Sequence, residues 1–102
     1  MILDIVKSIN DVPIRLTDER WDHILDGHPY MSGFYEDVLN AISYPEFIIR
    51  GNKGVKIAVV NLGRRRWLHV FYRELNQSDG FIILALIDEY VEKSKILWSR
   101  HK

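Results

Sequence analysis

The sequence predicts an α+β domain in which two amphipathic helices near the N-terminus pack on one face of an antiparallel sheet of four or more strands. Three observations carry this. Between residues 15 and 43 apolar side chains recur at helical spacing inside clear start and stop signals. From Glu46 onward the period shortens to two, and turn-forming segments separate the apolar runs. With 102 residues and 47% apolar content, the chain fills one core and needs no second domain.

Residues 1–6 (MILDIV) form a short apolar start, and 12–16 (VPIRL) form a second extended candidate joined to it by the turn chemistry of KSIND. Pro13 places such a strand at an edge, because proline has no N–H to give to a ladder. The stretch RLTDERWDHILDGHP, residues 15–29, organises the rest of the chain. Thr17 is a natural N-cap, and Asp18 and Glu19 set negative charge at the positive end of the helix dipole. Leu16 and Trp21 have the spacing of a hydrophobic staple. Gly27 supplies a left-handed stop and Pro29 prevents a restart. Trp21, Ile24 and Leu25 share the face that must meet a core, with His23 nearly opposite. A second helix, 33–43, carries Phe34, Val38, Ala41 and Ile42 on one stripe, with Gly33 and Glu36 as a capping pair. It ends at Tyr44-Pro45.

Residues 46–50, 55–60, 65–74 and 81–87 are β-rich and are separated by GNKG, NLGR and LNQSDG, which describes a four-stranded antiparallel meander. Alternation in the third run points Trp67, His69, Phe71 and Arg73 one way, and Arg66, Leu68, Val70 and Tyr72 the other. Residues 81–87 are apolar on both faces and belong in the middle of the sheet. The tail, 88–102, reads as a short helix or turn and then a further strand.

Several functions are poorly supported. Without cysteine there is no disulfide framework, thiolate zinc site or cysteine nucleophile. No phosphate-cradling glycine loop, dinucleotide fingerprint or serine-hydrolase elbow is present. The longest apolar run is too short to span a bilayer, and no leader pattern opens the chain, so a cytoplasmic location without membrane association is expected. Fourteen basic and fourteen acidic residues cancel, so global charge announces no nucleic-acid partner. Locally the balance is different, because Arg64, Arg65 and Arg66 are consecutive.

Two groups of residues carry chemistry. His23 and His28 flank a helix end, but their spacing is not the one that puts two imidazoles on one helical face, and no third ligand is evident. No metal site is therefore expected. A structural reading of His28, as a cap on open helix carbonyls, stands beside the functional one. Arg64, Arg66, His69, Tyr72 and Arg73 fall within ten positions. Guanidinium groups grip phosphate, imidazole titrates near neutrality and aromatics stack on bases, which is the equipment of metal-independent RNA cleavage. Strand alternation limits how many of them converge, and His69 also reads as a partly buried strand histidine.

The run LTDERWDHILDGHP with its HxxxxHP segment, then YPEFIIR, WLHVFYRE and GFIILALIDEYVEKSKILW, resembles the barnase, EndoU, colicin and RelE-like group of small phage and toxin nucleases. The resemblance spans about residues 13–98. It implies a RelE/barnase-like α+β fold with the active site on the sheet face, and a cofactor-free endoribonuclease acting on mRNA or tRNA. It also implies the toxin half of a toxin–antitoxin pair, with a small antitoxin protein as partner. By this resemblance His28 and His23 map onto the histidines at the end of the first helical segment, and Arg50, Tyr72 and Arg73 fall on the strands that carry basic and aromatic residues for the scissile phosphate. Joined with the cluster above, this assigns His28 as the general acid or base and His69 as the alternative acid, Tyr72 to stacking or proton relay, and Arg73 and Arg66 to phosphate stabilisation, with His23, Arg50 and Arg64 completing the RNA-binding set. Where the group carries a hydroxyl residue on the strand at 81–87, this chain has Leu84-Ala85. That substitution, with the zero net charge, favours an alternative: a non-catalytic immunity or regulatory module on the same fold. Trp67, Tyr90 and Trp98 are the aromatics through which a homodimer would form.

Overall fold

A computed structural model describes residues 1–100. Strands β1 (Ile2–Lys7) and β2 (Pro13–Thr17) form a hairpin and lead into helix α1 (Asp18–Gly27). A 3-10 turn (Pro29–Phe34) and helix α2 (Tyr35–Ser43) come next. Strands β3 (Phe47–Arg50), β4 (Lys56–Gly63), β5 (Arg66–Asn76) and β6 (Asp79–Asp88) then run as an antiparallel meander. A short 3-10 turn (Lys93–Lys95) precedes β7 (Ile96–Ser99), which adds antiparallel to β3. One seven-stranded sheet results, in the order β1-β2-β6-β5-β4-β3-β7.

The expected four-stranded, wholly antiparallel sheet behind two N-terminal helices is therefore corrected. The meander is present, but the sheet has seven strands, it is mixed because β2 runs parallel to β6, and both helices come after β2. The N-terminal runs pair with each other through a turn in which Asp11 takes φ 64°, and the hairpin then extends the sheet beyond β6. Pro13 does not mark an edge: β2 lies between β1 and β6, and proline is tolerated as its first residue. The tail forms a turn and a strand as expected; His101 and Lys102 lie outside the described residues.

Thr17 caps α1 as its sequence position predicts, its Oγ1 accepting from the Arg20 N–H at 3.2 Å. Gly27 does not adopt the left-handed conformation; the only glycines with positive φ among the described residues are Gly54 and Gly63. His28 instead ends the helix with φ −137°, its N–H bonded to the Ile24 carbonyl at 2.8 Å, and Pro29 begins the 3-10 turn. The Gly33–Glu36 capping pair does not form, since Phe34 occupies the N-cap of α2 and no side chain caps it.

Helices and sheet share one main core. Ile14 and Leu16 from β2, Ile24, Val38 and Ile42 from the helices, Leu68, Val70 and Tyr72 from β5, and Ile82 from β6 are all essentially inaccessible. Trp21 meets Tyr35 edge-on at 5.1 Å, joining α1 to α2. The Tyr35 hydroxyl donates to Asp4 at 2.6 Å and the Ser43 hydroxyl to the Lys7 carbonyl at 2.7 Å, so β1 is tied to α2 at both of its ends. On the second face a smaller cluster of Ile49, Val59 and Val91 forms where residues 89–95 cross back over the sheet to reach β7. Glu74 anchors the lower end of the main core. Burial pushes its carboxyl up, but hydrogen bonds from Lys56, Ser8 and Asn10 outweigh this and hold it below the ordinary glutamate range.

This packing makes two predictions. A Cβ added at Gly80 would lie 2.5 Å from Ile14 Cδ1 and 2.6 Å from the Arg73 carbonyl oxygen. Gly80→Ala is expected to cost about 2 kcal/mol, read as a lowered urea midpoint at unchanged slope. Because the folded pKa of Glu74 is depressed, its contribution is fully present above the ordinary glutamate range and is lost as pH falls through the folded value. The stability gap between wild type and Glu74→Gln should therefore narrow from about pH 7 to about pH 3; a constant gap would mean the carboxylate is not preferentially stabilised in the fold.

Candidate active site

The site forms where β2 and β6 part. They pair at Arg15 and Phe81 alone, after which β2 turns into α1 at Thr17 while β6 continues to Asp88. Among the described residues, the upper part of β6 thus has β5 on one side and no strand on the other. The end of α1 fills this opening. His28 and Pro29 turn the chain so that the Tyr30 hydroxyl reaches the strand and accepts the Ile87 N–H at 3.2 Å. The same hydroxyl lies 3.3 Å from His28 Nδ1, and the two rings meet edge-on at 5.7 Å.

This chain of groups engages one ring nitrogen of His28 and leaves the other free. The Tyr30 oxygen accepts from a fixed backbone donor and keeps one acceptor site and its own proton, so its bond to Nδ1 runs in either direction according to the state of the ring. Nε2 has no partner among the described residues. His28 is partly buried and Tyr30 is 48% exposed, so the pair lies at the protein surface.

The β4–β5 turn lies at the same end of the sheet. Leu68 pairs with Ile87, and Arg66 stands two residues beyond it on the helix side of β5. Arg66 folds back on its own turn, donating to the Leu62 and Gly63 carbonyls at 3.3 Å each. Arg64 and Arg65 take φ 57° and 62°, directly after Gly63 at 84°. A two-residue hairpin turn of this hand favours Asn-Gly, because side chains beyond Cβ crowd the left-handed region. Two exposed arginines occupy the strained positions instead, and none of the three pairs with a carboxylate among the described residues.

The structure separates the remaining residues. His23 is exposed on α1 in a shallow depression with Thr17, Glu19 and Arg20. His69 is 6% exposed on the second face, its Nδ1 2.9 Å from the Trp67 carbonyl, so it is a structural strand histidine. Tyr72 is fully buried under the helices, its hydroxyl finds no partner among the described residues, and burial, with Glu74 nearby, pushes its pKa up. Arg73 lies five residues down β5 from Leu68, about 17 Å away, on the second face, where it donates to the Lys53 carbonyl. Arg50 ends β3 opposite Lys56, also at that far end. The sheet thus gathers His28, Arg64 and Arg66 at one rim and leaves His69, Tyr72, Arg73 and Arg50 elsewhere.

Tyr30 has no role in the sequence analysis above. Its signal was a tyrosine two positions beyond a histidine, across a proline that fixes the backbone between them. Among the described residues, no three His, Cys, Asp or Glu side chains gather as metal ligands, and no helix is long and apolar enough to cross a membrane.

The strained arginine turn yields a prediction. Arg64→Asn with Arg65→Gly should raise stability by about 1 kcal/mol while lowering the salt slope of heparin or RNA binding by about two. Increased stability with unchanged polyanion binding would remove the turn from the site. Comparisons of the chain with protein-family models, with curated proteins and with solved structures find no match.

Proposed function

We propose that this protein is a metal-independent endoribonuclease whose proton-transfer group is His28, acting as the toxin of a toxin–antitoxin pair, in line with the nuclease resemblance of its sequence. The observation that carries this reading is the hydrogen-bonded series from the Ile87 N–H through the Tyr30 hydroxyl to His28 Nδ1, which leaves Nε2 without a partner among the described residues. An imidazole oriented through its other nitrogen is how proteins hold a general acid or base in one orientation. In the proposed reaction the RNA 2′-oxygen attacks the adjacent phosphorus and its proton passes to solvent. The bond to the 5′-oxygen breaks, and that oxygen takes the Nε2 proton of the His28 imidazolium, leaving a neutral ring that solvent reprotonates. The products are a 2′,3′-cyclic phosphate and a 5′-hydroxyl. Arg64 and Arg66 lie at the same rim, where guanidinium groups stabilise the charge that builds on the phosphorane. The hydroxyl that the resembling nucleases carry on the strand at 81–87 would be supplied here by Tyr30, since Ala85 is buried in the core.

A second reading, a non-catalytic binding module, is favoured by the burial of Tyr72 and His69 and by the placement of Arg73 at the far end of the sheet. One experiment separates the two. Wild type, His28→Ala and Tyr30→Phe are expressed to monitor growth, then purified and incubated with total RNA in EDTA. The nuclease reading expects growth arrest and chelator-resistant cleavage leaving cyclic phosphate ends. His28→Ala should lose about a hundredfold or more of the activity, and Tyr30→Phe about tenfold with a shifted pH profile. Intact RNA with a folded, well-tolerated wild type would establish the binding module instead.

A further inference from the structure

The second face of the sheet is closed on one side. Residues 89–95 cross it through Val91, which clusters with Ile49 and Val59 and has Phe47, Ile57, Trp67 and Ile96 around it. That covers β3, β4, β7 and the upper end of β5. Across the rest of the face the register lines up a different set. Ile5 pairs with Arg15, Arg15 with Phe81 and Phe81 with Arg73, which makes one row over four strands, and the Arg15 guanidinium lies over the Phe81 ring. Phe71 shares the face of Arg73, and Leu86 pairs with His69 on it. Ile5 is 55% exposed, and Phe71, Phe81 and Leu86 are partly exposed, as is Ile83 at the register shift of β6. None of these five side chains belongs to the main core or to the Val91 cluster. Adjoining apolar side chains outside any core mark a contact surface.

Charge on this face is polarised along the strands. Arg73 stands at the lower end and donates to the Lys53 carbonyl, and among the described residues neither Arg73 nor Lys53 pairs with a carboxylate. Asp88 and Glu89 stand at the upper end, where β6 stops, and no cation pairs with either among the described residues. Lys93 and Lys95 lie farther along the crossing, against β3. Asp88 pairs with Trp67, six residues from Arg73 on β5, so the two ends are about 20 Å apart.

We propose that two copies of this chain pack through this face as a two-fold dimer, sheet on sheet, with the axis running across the strands. Such an axis lays the lower end of each β5–β6 pair over the upper end of the other. Arg73 and Lys53 of each copy then meet Asp88 and Glu89 of the other, so the same ionic contact forms twice. Between these ends Phe71, Phe81, Ile83 and Leu86 face their counterparts across the roughly 10 Å that separates stacked sheets. An acidic partner or an anionic surface would satisfy Arg73 and Lys53 but would bring like charge against Asp88 and Glu89, so the polarity selects a second copy. With fourteen basic and fourteen acidic residues, two copies also approach without net repulsion. The inference is independent of the chemistry at the rim and holds whether or not the chain cleaves RNA.

Sedimentation velocity on the full chain should show a dimer forming between about 1 and about 100 µM. Arg73→Glu and Glu89→Arg should each weaken association about tenfold or more, with circular dichroism confirming that both remain folded. An equimolar mixture of the two variants should restore the dimer, because both contacts again join opposite charges. Ends about 20 Å apart within one chain cannot produce that rescue. Leu86→Glu, which puts a charge at the apolar centre, should abolish association. A wild type that stays monomeric at about 100 µM would overturn the proposal, as would a dimer indifferent to both reversals or a mixture that remains monomeric. A monomeric wild type that instead sediments with phosphatidylglycerol vesicles would give the face to a lipid surface and overturn the dimer.

Discussion

The junction between β2 and β6 is the constraint on which the rest of the molecule depends. One parallel pairing, Arg15 with Phe81, joins the N-terminal hairpin to the meander. Arg15 makes it secure: its guanidinium lies 5.5 Å from the centre of the Phe81 ring, donates to the Gly80 carbonyl at 3.3 Å and pairs with Asp79. The ion pair is only partly exposed and is reinforced by a backbone bond and a ring face, so it does more than a solvated surface pair would. Gly80 admits Ile14 against the backbone, and that contact draws the two strands together. Because the pairing stops there, β2 diverges into α1 and exposes the outer edge of β6. An unpaired strand N–H in a partly covered position needs an acceptor, and the Tyr30 hydroxyl provides it at Ile87. That bond sets the orientation of His28.

Much of this was legible locally. The Thr17 cap, the apolar faces of both helices, the four meander strands and the two-way alternation of β5 all arise from short-range pattern, and the structure contains each of them. Long-range pairing was not legible. Residues 1–6 and 12–16 read as extended, but nothing in them says that β2 will lie parallel to a strand more than sixty residues away. The same applies to β7, whose four residues gain their place only because the chain crosses a face that Val91 helps to close. At the candidate site, alternation correctly put Tyr72 and His69 on opposite faces, yet it could not show that both faces would be covered at those positions. The bond between Tyr30 and Ile87 spans fifty-seven residues, so no window of sequence contains it.

Coverage of both faces decides where chemistry can occur. Helices lie over one face, and residues 89–95 cross the other near its upper end. Leu68, His69, Val70 and Tyr72, in the middle of β5, are therefore withdrawn from a macromolecular substrate, however suitable their chemistry. The rim differs, because strands end there and turns project. Arg64 to Arg66 leave the sheet at that end, and among the described residues no carboxylate pairs with them, although the chain as a whole is neutral. Local field near a surface depends on the charges within about 10 Å, not on the net sum.

Two histidines show how burial and orientation combine. His69 and His28 have the same intrinsic chemistry, and each has a hydrogen-bond partner at Nδ1. At His69 that partner is the carbonyl of Trp67, which accepts, so the proton stays on Nδ1. The other ring nitrogen is then an acceptor held at a buried position on a covered face. At His28 the partner is a hydroxyl, which while holding the Ile87 N–H can accept from Nδ1–H or donate to an unprotonated Nδ1, and Nε2 has no partner among the described residues. One ring is thereby a structural element of the strand, and the other is held at the end of the sheet in either protonation state. The difference comes from whether the adjacent oxygen belongs to a carbonyl, which only accepts, or to a hydroxyl, which does both. The Ile87 N–H that fixes this hydroxyl is available because β6 outruns its parallel neighbour after a single pair.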